Sequence, residues 1–363
     1  TITVNGISDA TSYNWTFPSG ATGSDPTATN SNVLTFGSGS GQITVQPENG
    51  CGVGSTFQQG VTINPEPSVS ISTTPASGTI CIGGSVLLTA GSSGGLAPFT
   101  YSWSNGAGNV QNTTVSPTAI STYDVTVTDA NGCFGNASET VLINPTSNPG
   151  VASSDQTICD GDQPANLVLA GNVGSILWQE STDNSTFTPT GITSATLTSA
   201  NMGALGATMY YQAVVTSGVC PPVTSNVVTV SVREDATASI ALSGVSPVCQ
   251  FDAGPDVEFT NPRNEAITVT YNINSGSNQF VSVPASSTAT ISASTGAAGT
   301  FTYNLVSAAY QSSPNCTSGV LSGSVSVTVN PAAVITSVTG TSPLCIGDNP
   351  TYTANGVELG GGT

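Results

Sequence analysis

Eight cysteines are the residues best placed to do chemistry in this 363-residue chain, and their contexts sort them into two classes. Cys81, Cys159, Cys249 and Cys345 each sit in an opening phrase: Ile80-Cys-Ile-Gly-Gly84, Ile158-Cys-Asp-Gly-Asp162, Val248-Cys-Gln-Phe251 and Leu344-Cys-Ile-Gly-Asp348. Cys51, Cys133, Cys220 and Cys316 fall in or beside what reads as a late hairpin turn. In a chain rich in Thr, Ser and Gly, this usage points to an oxidising, exported location and to disulfide bonds. A zinc site would have to rely on Cys and carboxylate alone, because the chain has no His. No metal site is expected.

Other chemistry is excluded by what is missing. There are 20 acidic residues against Arg233 and Arg263 only, with no Lys and no His, giving a formal net charge of −18. Without His or Lys there is no Ser-His-Asp or Cys-His arrangement, no Schiff-base amine and no phosphate-cradling P-loop. So acidic a chain cannot neutralise a phosphate backbone, which excludes nucleic acid and anionic membrane as partners. Lys to Asn isopeptide crosslinks are equally impossible, leaving Cys as the source of covalent reinforcement. The carboxylates are scattered, with no large domain to carve a cleft for a glycosidase pair. The chain is expected not to be an enzyme. The turn phrases Asp129-Ala-Asn-Gly132, Asp160-Gly-Asp162 and Asp252 with Asp256 offer oxygen ligands for calcium. None completes an EF-hand loop, and Asp, Asn and Gly dominate tight turns for backbone reasons. The expectation is therefore no cofactor, with calcium as the lesser reading.

The elements that must hold these cysteines are short strands. The chain has 41 Gly and 22 Pro, is 37% hydrophobic and only 6% charged, a composition that folds but leaves little room for long helices. A closing phrase recurs as Val61-Thr-Ile-Asn-Pro65, Val141-Leu-Ile-Asn-Pro145, Val228-Thr-Val-Ser-Val232 and Val327-Thr-Val-Asn-Pro331. Each alternates apolar and polar residues, and three of the four stop at Pro, which cannot donate to a continuing ladder. The boundaries that follow are 1–64, 66–144, 145–232, 233–330 and a further fragment over 331–363. Each of the first four units, of which 1–64 reads as truncated at its N-terminal side, carries an aromatic on an early-middle strand, Trp15, Trp103, Trp178 and Tyr271 in turn. Strands of this length around a large ring describe an immunoglobulin-like sandwich of two antiparallel sheets, with these rings expected in the cores. The fold class is all-β: tandem immunoglobulin-like or PKD-like sandwiches in a head-to-tail rod.

Two pairings of the cysteines stay open at this stage. Bridges within repeats would join Cys81 to Cys133, Cys159 to Cys220 and Cys249 to Cys316. In such a sandwich, however, the loop before the second strand and the last hairpin turn lie at opposite poles, about 20 Å apart for a strand of ~6 residues. Disulfide Cα atoms need roughly 4.4–6.8 Å. Bridges between consecutive repeats, Cys81 to Cys220 and Cys159 to Cys316, satisfy that distance and are favoured. The remaining four cysteines would then reach further modules.

Tyr123-Asp-Val-Thr-Val-Thr-Asp-Ala-Asn-Gly-Cys133 and Cys81-Ile-Gly-Gly-Ser-Val-Leu-Leu-Thr-Ala90 resemble the repeats of very large cell-surface adhesins of Bacteroidota, the gliding-motility SprB type exported by type IX secretion. Residues 13–64, with Tyr-Asn-Trp-Thr-Phe-Pro and Asn49-Gly-Cys-Gly52, look like the PKD-like version of the module. The fourth repeat departs most, with Tyr271 in place of Trp. The resemblance implies a non-catalytic extracellular stalk or surface fibre whose partners are other repeats of the same long chain and an unidentified surface or glycan ligand. The alternative it leaves is a carbohydrate-binding or spacer region of a large secreted polysaccharide-acting protein. No apolar run is long enough to cross a membrane. Both ends read as falling inside repeats.

Overall fold

Alternation along single strands builds the cores. Strand Ser121–Thr128 turns Tyr123, Val125 and Val127 inward and leaves Thr122 and Asp124 to solvent, the period of two that a half-buried strand requires. The computed structural model describes residues 1–318 and 321–356, and their only helix is the four-residue turn Ser199–Met202, capped by Thr198. The chain divides into two compact units, one of Thr1–Asn148 with Thr216–Pro222 and one of Pro149–Val215 with Val223–Thr363.

In the first unit, the second repeat is a complete sandwich. One sheet orders Asn112–Val115, Val86–Ser93 and Ser68–Thr74. The other orders Thr100–Trp103, Ser121–Thr128, Phe134–Asn144 and Thr79–Cys81. Its last pair is parallel, with Cys81 opposite Asn144. Val86, Leu88, Ala90, Trp103 and Val125 fill the space between the sheets. The first repeat is thinner. Ser12–Thr16, Gly41–Asn49 and Phe57–Val61 form one sheet, and only Ile2–Thr3 with Ser31–Asn32 face it. Its core is Tyr13, Trp15, Ile43 and Val45.

The second unit repeats the complete plan twice. Around Trp178, Leu167, Tyr211 and Val228, a sheet of Val151–Ala152, Leu167–Ala170 and Thr196–Leu197 faces one built on Gln156–Cys159, Val228–Arg233, Met209–Thr216 and Ser175–Ser181. Around Phe259, Tyr271 and Tyr303, a sheet of Ser239–Ser243, Asp256–Asn261 and Ser287–Ser292 faces a five-stranded one. That sheet runs from Val248–Cys249 through Ser324–Asn330, Gly299–Tyr310 and Ile267–Ile273 to Gln279–Val283. In both repeats the opening strand again pairs in parallel with the closing one, Cys159 opposite Arg233 and Cys249 opposite Asn330. Beyond them, Ile335–Thr339 pairs with Thr353–Gly356 as an exposed hairpin.

The four central rings are buried and their polar atoms satisfied. Trp15 Nε1 donates to Thr27 Oγ1 at 2.8 Å, Trp103 Nε1 to the Val110 carbonyl at 2.8 Å and Trp178 Nε1 to the Ser194 carbonyl at 3.0 Å. The Tyr271 hydroxyl meets Gln279 Oε1 at 2.9 Å, and its ring packs 4.9 Å from that of Phe259, centroid to centroid. It also stacks 6.4 Å from Tyr303, so an aromatic cluster stands where the other repeats carry a Trp. Not every aromatic is internal: Phe57, Phe134, Phe251 and Phe280 stand exposed.

Candidate functional site

Each disulfide sits at the end of a closing strand. In the first unit Cys81 bonds Cys220, with Cα atoms 5.0 Å apart. Strand pairing puts Cys81 beside Asn144, and Cys220 Sγ lies 3.7 Å from the Asn144 carbonyl and 3.1 Å from that of Pro145. The 216–222 turn is held there by polar contacts as well. The Ser217 amide donates to Ser147 Oγ at 3.0 Å and the Val219 amide to Asn144 Oδ1 at 3.1 Å.

In the second unit Cys159 bonds Cys316, with Cα atoms 5.2 Å apart. Beside it the two arginines are tied down. Arg233 Nη2 reaches both carboxylate oxygens of Glu265 at 3.0 and 2.9 Å, while Nη1 donates to the carbonyls of Pro314 at 2.8 Å and Ser312 at 3.2 Å. Its guanidinium lies 4.7 Å over the Tyr310 ring. Arg263 pairs with Glu234, and the Ala236 amide donates to the Cys316 carbonyl at 3.2 Å. A planar guanidinium can serve two carbonyls, a carboxylate and a ring face at once, which an ammonium cannot. These contacts clamp the linker 233–236 onto the fourth sandwich. Nothing in the sequence marked Arg233, Glu265 or Tyr310 as a cluster. The signal available was that Arg233 and Arg263 are the only cations in the chain.

The within-repeat bridges do not form, and strand length is the reason. Cys133 precedes one end of Phe134–Asn144 and Cys81 pairs with the other end. Eleven residues of strand separate them by about 35 Å. Cys51, Cys133, Cys249 and Cys345 are free. Among the described residues no group of three His, Cys, Asp or Glu is arranged to hold a metal ion. Asp129 instead binds its own turn, accepting from the amides of Leu96 at 3.0 Å and of Cys133 and Asn131 at 2.9 Å each. The Leu96 amide above all, with those of Cys133 and Asn131, holds its carboxyl below the usual carboxylate range. Asp256 Oδ1 likewise accepts from Ser292 Oγ at 2.8 Å. No helix among the described residues is long and apolar enough to cross a membrane.

The comparisons with known proteins match parts of the chain. Residues 1–61 match the PKD-like domain family, and residues 148–234 match a domain of unknown function, DUF8696. None of the curated proteins matches. Among solved structures, the chain is similar to part of a 1.5-MDa bacterial ice-binding adhesin, at 16% identity over 74% of this chain and all of that one, with a TM-score of 0.32. It is similar to a tetra-tandem repeat from the extending region of a large adhesion protein, at 14% identity over 89% and 93% of the two chains, TM-score 0.31. It is also similar to titin domains I67–I69, at 10% identity over 73% and 98%, TM-score 0.39. The residues themselves establish a chain of tandem β-sandwich repeats, of which residues 1–61 are similar to the PKD-like domain family.

Proposed function

We propose that this chain is a load-bearing, non-catalytic shaft segment of a bacterial cell-surface adhesin. The observation that carries the reading is the disulfide Cys159–Cys316, which joins the opening strand of one sandwich to the last hairpin of the next and so bypasses the linker between them. A bridge inside a single sandwich would stabilise that domain alone; one that spans a linker keeps the linker from being the point at which a pulled chain lengthens. The clamp of Arg233 on Glu265, Pro314 and Tyr310 at the same linker supports the same role. The finer assignment is to the gliding-motility type of Bacteroidota adhesin, exported by type IX secretion, with the chain outside the cell. It is supported by the phrases Tyr123 to Cys133 and Cys81 to Ala90.

The test is binding set against mechanics. The oxidised chain is expected to give no hits on a glycan array and to lengthen under load when its disulfides are reduced. Saturable glycan binding that is lost on replacing an exposed ring such as Phe280 would move the assignment to a carbohydrate-binding module.

A further inference from the structure

Between Glu265 and Asp348 the chain has no charged residue, so its entire formal charge of −18 lies outside that span. The uncharged stretch builds most of the larger sheet of the fourth repeat, through Ile267–Ile273, Gln279–Val283, Gly299–Tyr310 and Ser324–Asn330. Polar groups along these strands answer one another. Thr302 Oγ1 meets Ser326 Oγ at 3.0 Å, and Asn304 Nδ2 donates to Asn272 Oδ1 at 3.0 Å. The sheet is a neutral surface on an acidic molecule.

Its margin is open. Among the described residues, Gln279–Val283 pairs with Ile267–Ile273 on one side and with no strand on the other. Val283 is buried, while Gln279, Phe280 and Ser282 stand exposed, Phe280 at 68%. Edge strands are ordinarily blunted by charge, by proline or by brevity, and this five-residue strand has neither Pro nor charge. Three other margins are defended. Thr188–Pro189 in the third repeat is two residues long and ends in Pro. Thr100–Trp103 in the second is backed by a strand that exposes Asp124. Behind Ser287–Ser292, the other margin of the fourth repeat, Glu258 stands opposite Thr290 and Asp256 opposite Ser292. Two copies meeting there would set four carboxylates against one another.

We propose that Gln279–Val283 is a site of lateral association between two copies of this chain, the two strands pairing antiparallel about a two-fold axis with Phe280 opposite Phe280. Charge and symmetry identify the occupant. A copy carrying the same −18 is repelled by the acidic parts of the surface, and this sheet lets it approach without setting like charges together. An antiparallel pair is self-complementary, so one strand supplies both sides of the contact. Phe280 opposite Phe280 puts Asn278 opposite Ser282 and keeps the outward residues of both strands on one face. The two rings form a cross-strand aromatic pair, and a five-stranded sheet from each copy joins into one of ten. This inference goes beyond the shaft reading and stands apart from it: a shaft that stays single still bears load, and glycan binding would leave the pairing untouched.

The experiment uses the full chain with both structural disulfides intact and Cys51, Cys133, Cys249 and Cys345 replaced by Ser, so that no other thiol links copies. A single strand pair is a small contact of the weak class, so sedimentation is run at ~0.1 mM chain. The mass is expected to rise toward twice that of the monomer, and amides over 279–283 to gain protection from hydrogen exchange as concentration rises. Phe280→Glu places two carboxylates opposite each other and should weaken association about tenfold or more. Phe134→Glu, the same change at an exposed ring of the second repeat, should leave it unaltered. Crosslinking reads the register. Under air oxidation Phe280→Cys should give a linked dimer, since facing Cα atoms of an antiparallel pair lie about 4.5–5.5 Å apart. Ser282→Cys, about 14 Å from its counterpart, should link poorly. A chain that stays monomeric at that concentration, a dimer unmoved by Phe280→Glu, or linkage through position 282 in preference to 280 would overturn the proposal.

Discussion

Pulling the chain from its two ends measures how the disulfides are connected, because the two bonds interlock. A fully unfolded, unbridged chain of 363 residues reaches about 1,300 Å at ~3.6 Å per residue. With both bonds intact, the taut path runs to Cys81, crosses to Cys220, returns along the backbone to Cys159, crosses to Cys316 and leaves for the C-terminus. That path holds roughly 190 residues, or ~690 Å. Replacing Cys81 and Cys220 by Ser reroutes it through Cys159–Cys316 and lengthens it by only ~60 Å. Replacing Cys159 and Cys316 lengthens it by ~120 Å, and replacing all four by ~620 Å. The two small gains thus sum to less than a third of the combined one.

Force spectroscopy on the wild type and these three variants reads the contour length directly, with the four free thiols alkylated first to prevent exchange. Bridges confined to single repeats would give far larger gains, the loop between Cys159 and Cys220 being opened by either variant. In that arrangement each two-residue variant breaks two separate loops and gains about 400 Å or more. A gain of that size from either variant would refute the connectivity and, with it, the load-bearing argument.

Trypsin has two sites, after Arg233 and Arg263, and both lie inside the Cys159–Cys316 loop. A chain cut at one site should run as one species without reductant and separate into two with it; a chain cut at both should keep residues 1–233 joined to 264–363, and parting of those two pieces without reductant would contradict that bond. Tyr211 is buried with no hydrogen-bond partner for its hydroxyl, and burial, with Glu180 adding to it, pushes its pKa from 10.0 to about 12. The unfolded chain therefore loses this proton first, so its contribution to stability is complete below pH 10 and falls away between about 10 and 12. Tyr211→Phe should lessen the alkaline loss by roughly 1.4 kcal/mol at pH 11, read from denaturant titrations at pH 8 and 11. It should leave stability at neutral pH unchanged or higher, since no hydrogen bond is removed. A Cβ on Gly254 would sit 1.9 Å from the Ala293 carbonyl. Gly254→Ala is expected to cost ~1–3 kcal/mol, seen as a lower melting temperature, while Gly60→Ala, with nothing near its Cβ position, should scarcely move it.

The periodicities that build this fold are local, which is why so much of it could be read in one dimension. Tyr123, Val125 and Val127 alternate within one strand, and the closing phrases recur, three of the four ending at Pro. In the second, third and fourth sandwiches the division into a three-stranded and a larger sheet follows from opening strands such as Gln156–Cys159 crossing over to pair in parallel. That crossover depends on contacts more than seventy residues apart, and no local pattern carries it. The clamp around Arg233 is of the same kind. Glu265, Tyr310 and Pro314 come from two separate segments, and only the folded sheet brings them to one guanidinium. The rings of Phe57 and Phe280 stand exposed, both on strands at the margin of a sheet.

The register of the opening strand explains how such a chain could be reinforced without limit. Parallel pairing with the closing strand places the opening Cys at the residue where the backbone leaves the sandwich, and the following linker is short. The next repeat's hairpin Cys is therefore brought to the same place whatever the identity of the linker: Asn144-Pro145 in one case and Arg233-Glu234 in the other. Because Cys159 precedes Cys220, successive bonds overlap. Every peptide bond from 81 to 316 then lies inside at least one loop, and those from 159 to 220 lie inside two. A single cleavage anywhere in that span leaves the parts joined. A repeat that kept its sandwich but lost its opening Cys would break the overlap at one position only, so its effect on extension should depend on where in the series it lies.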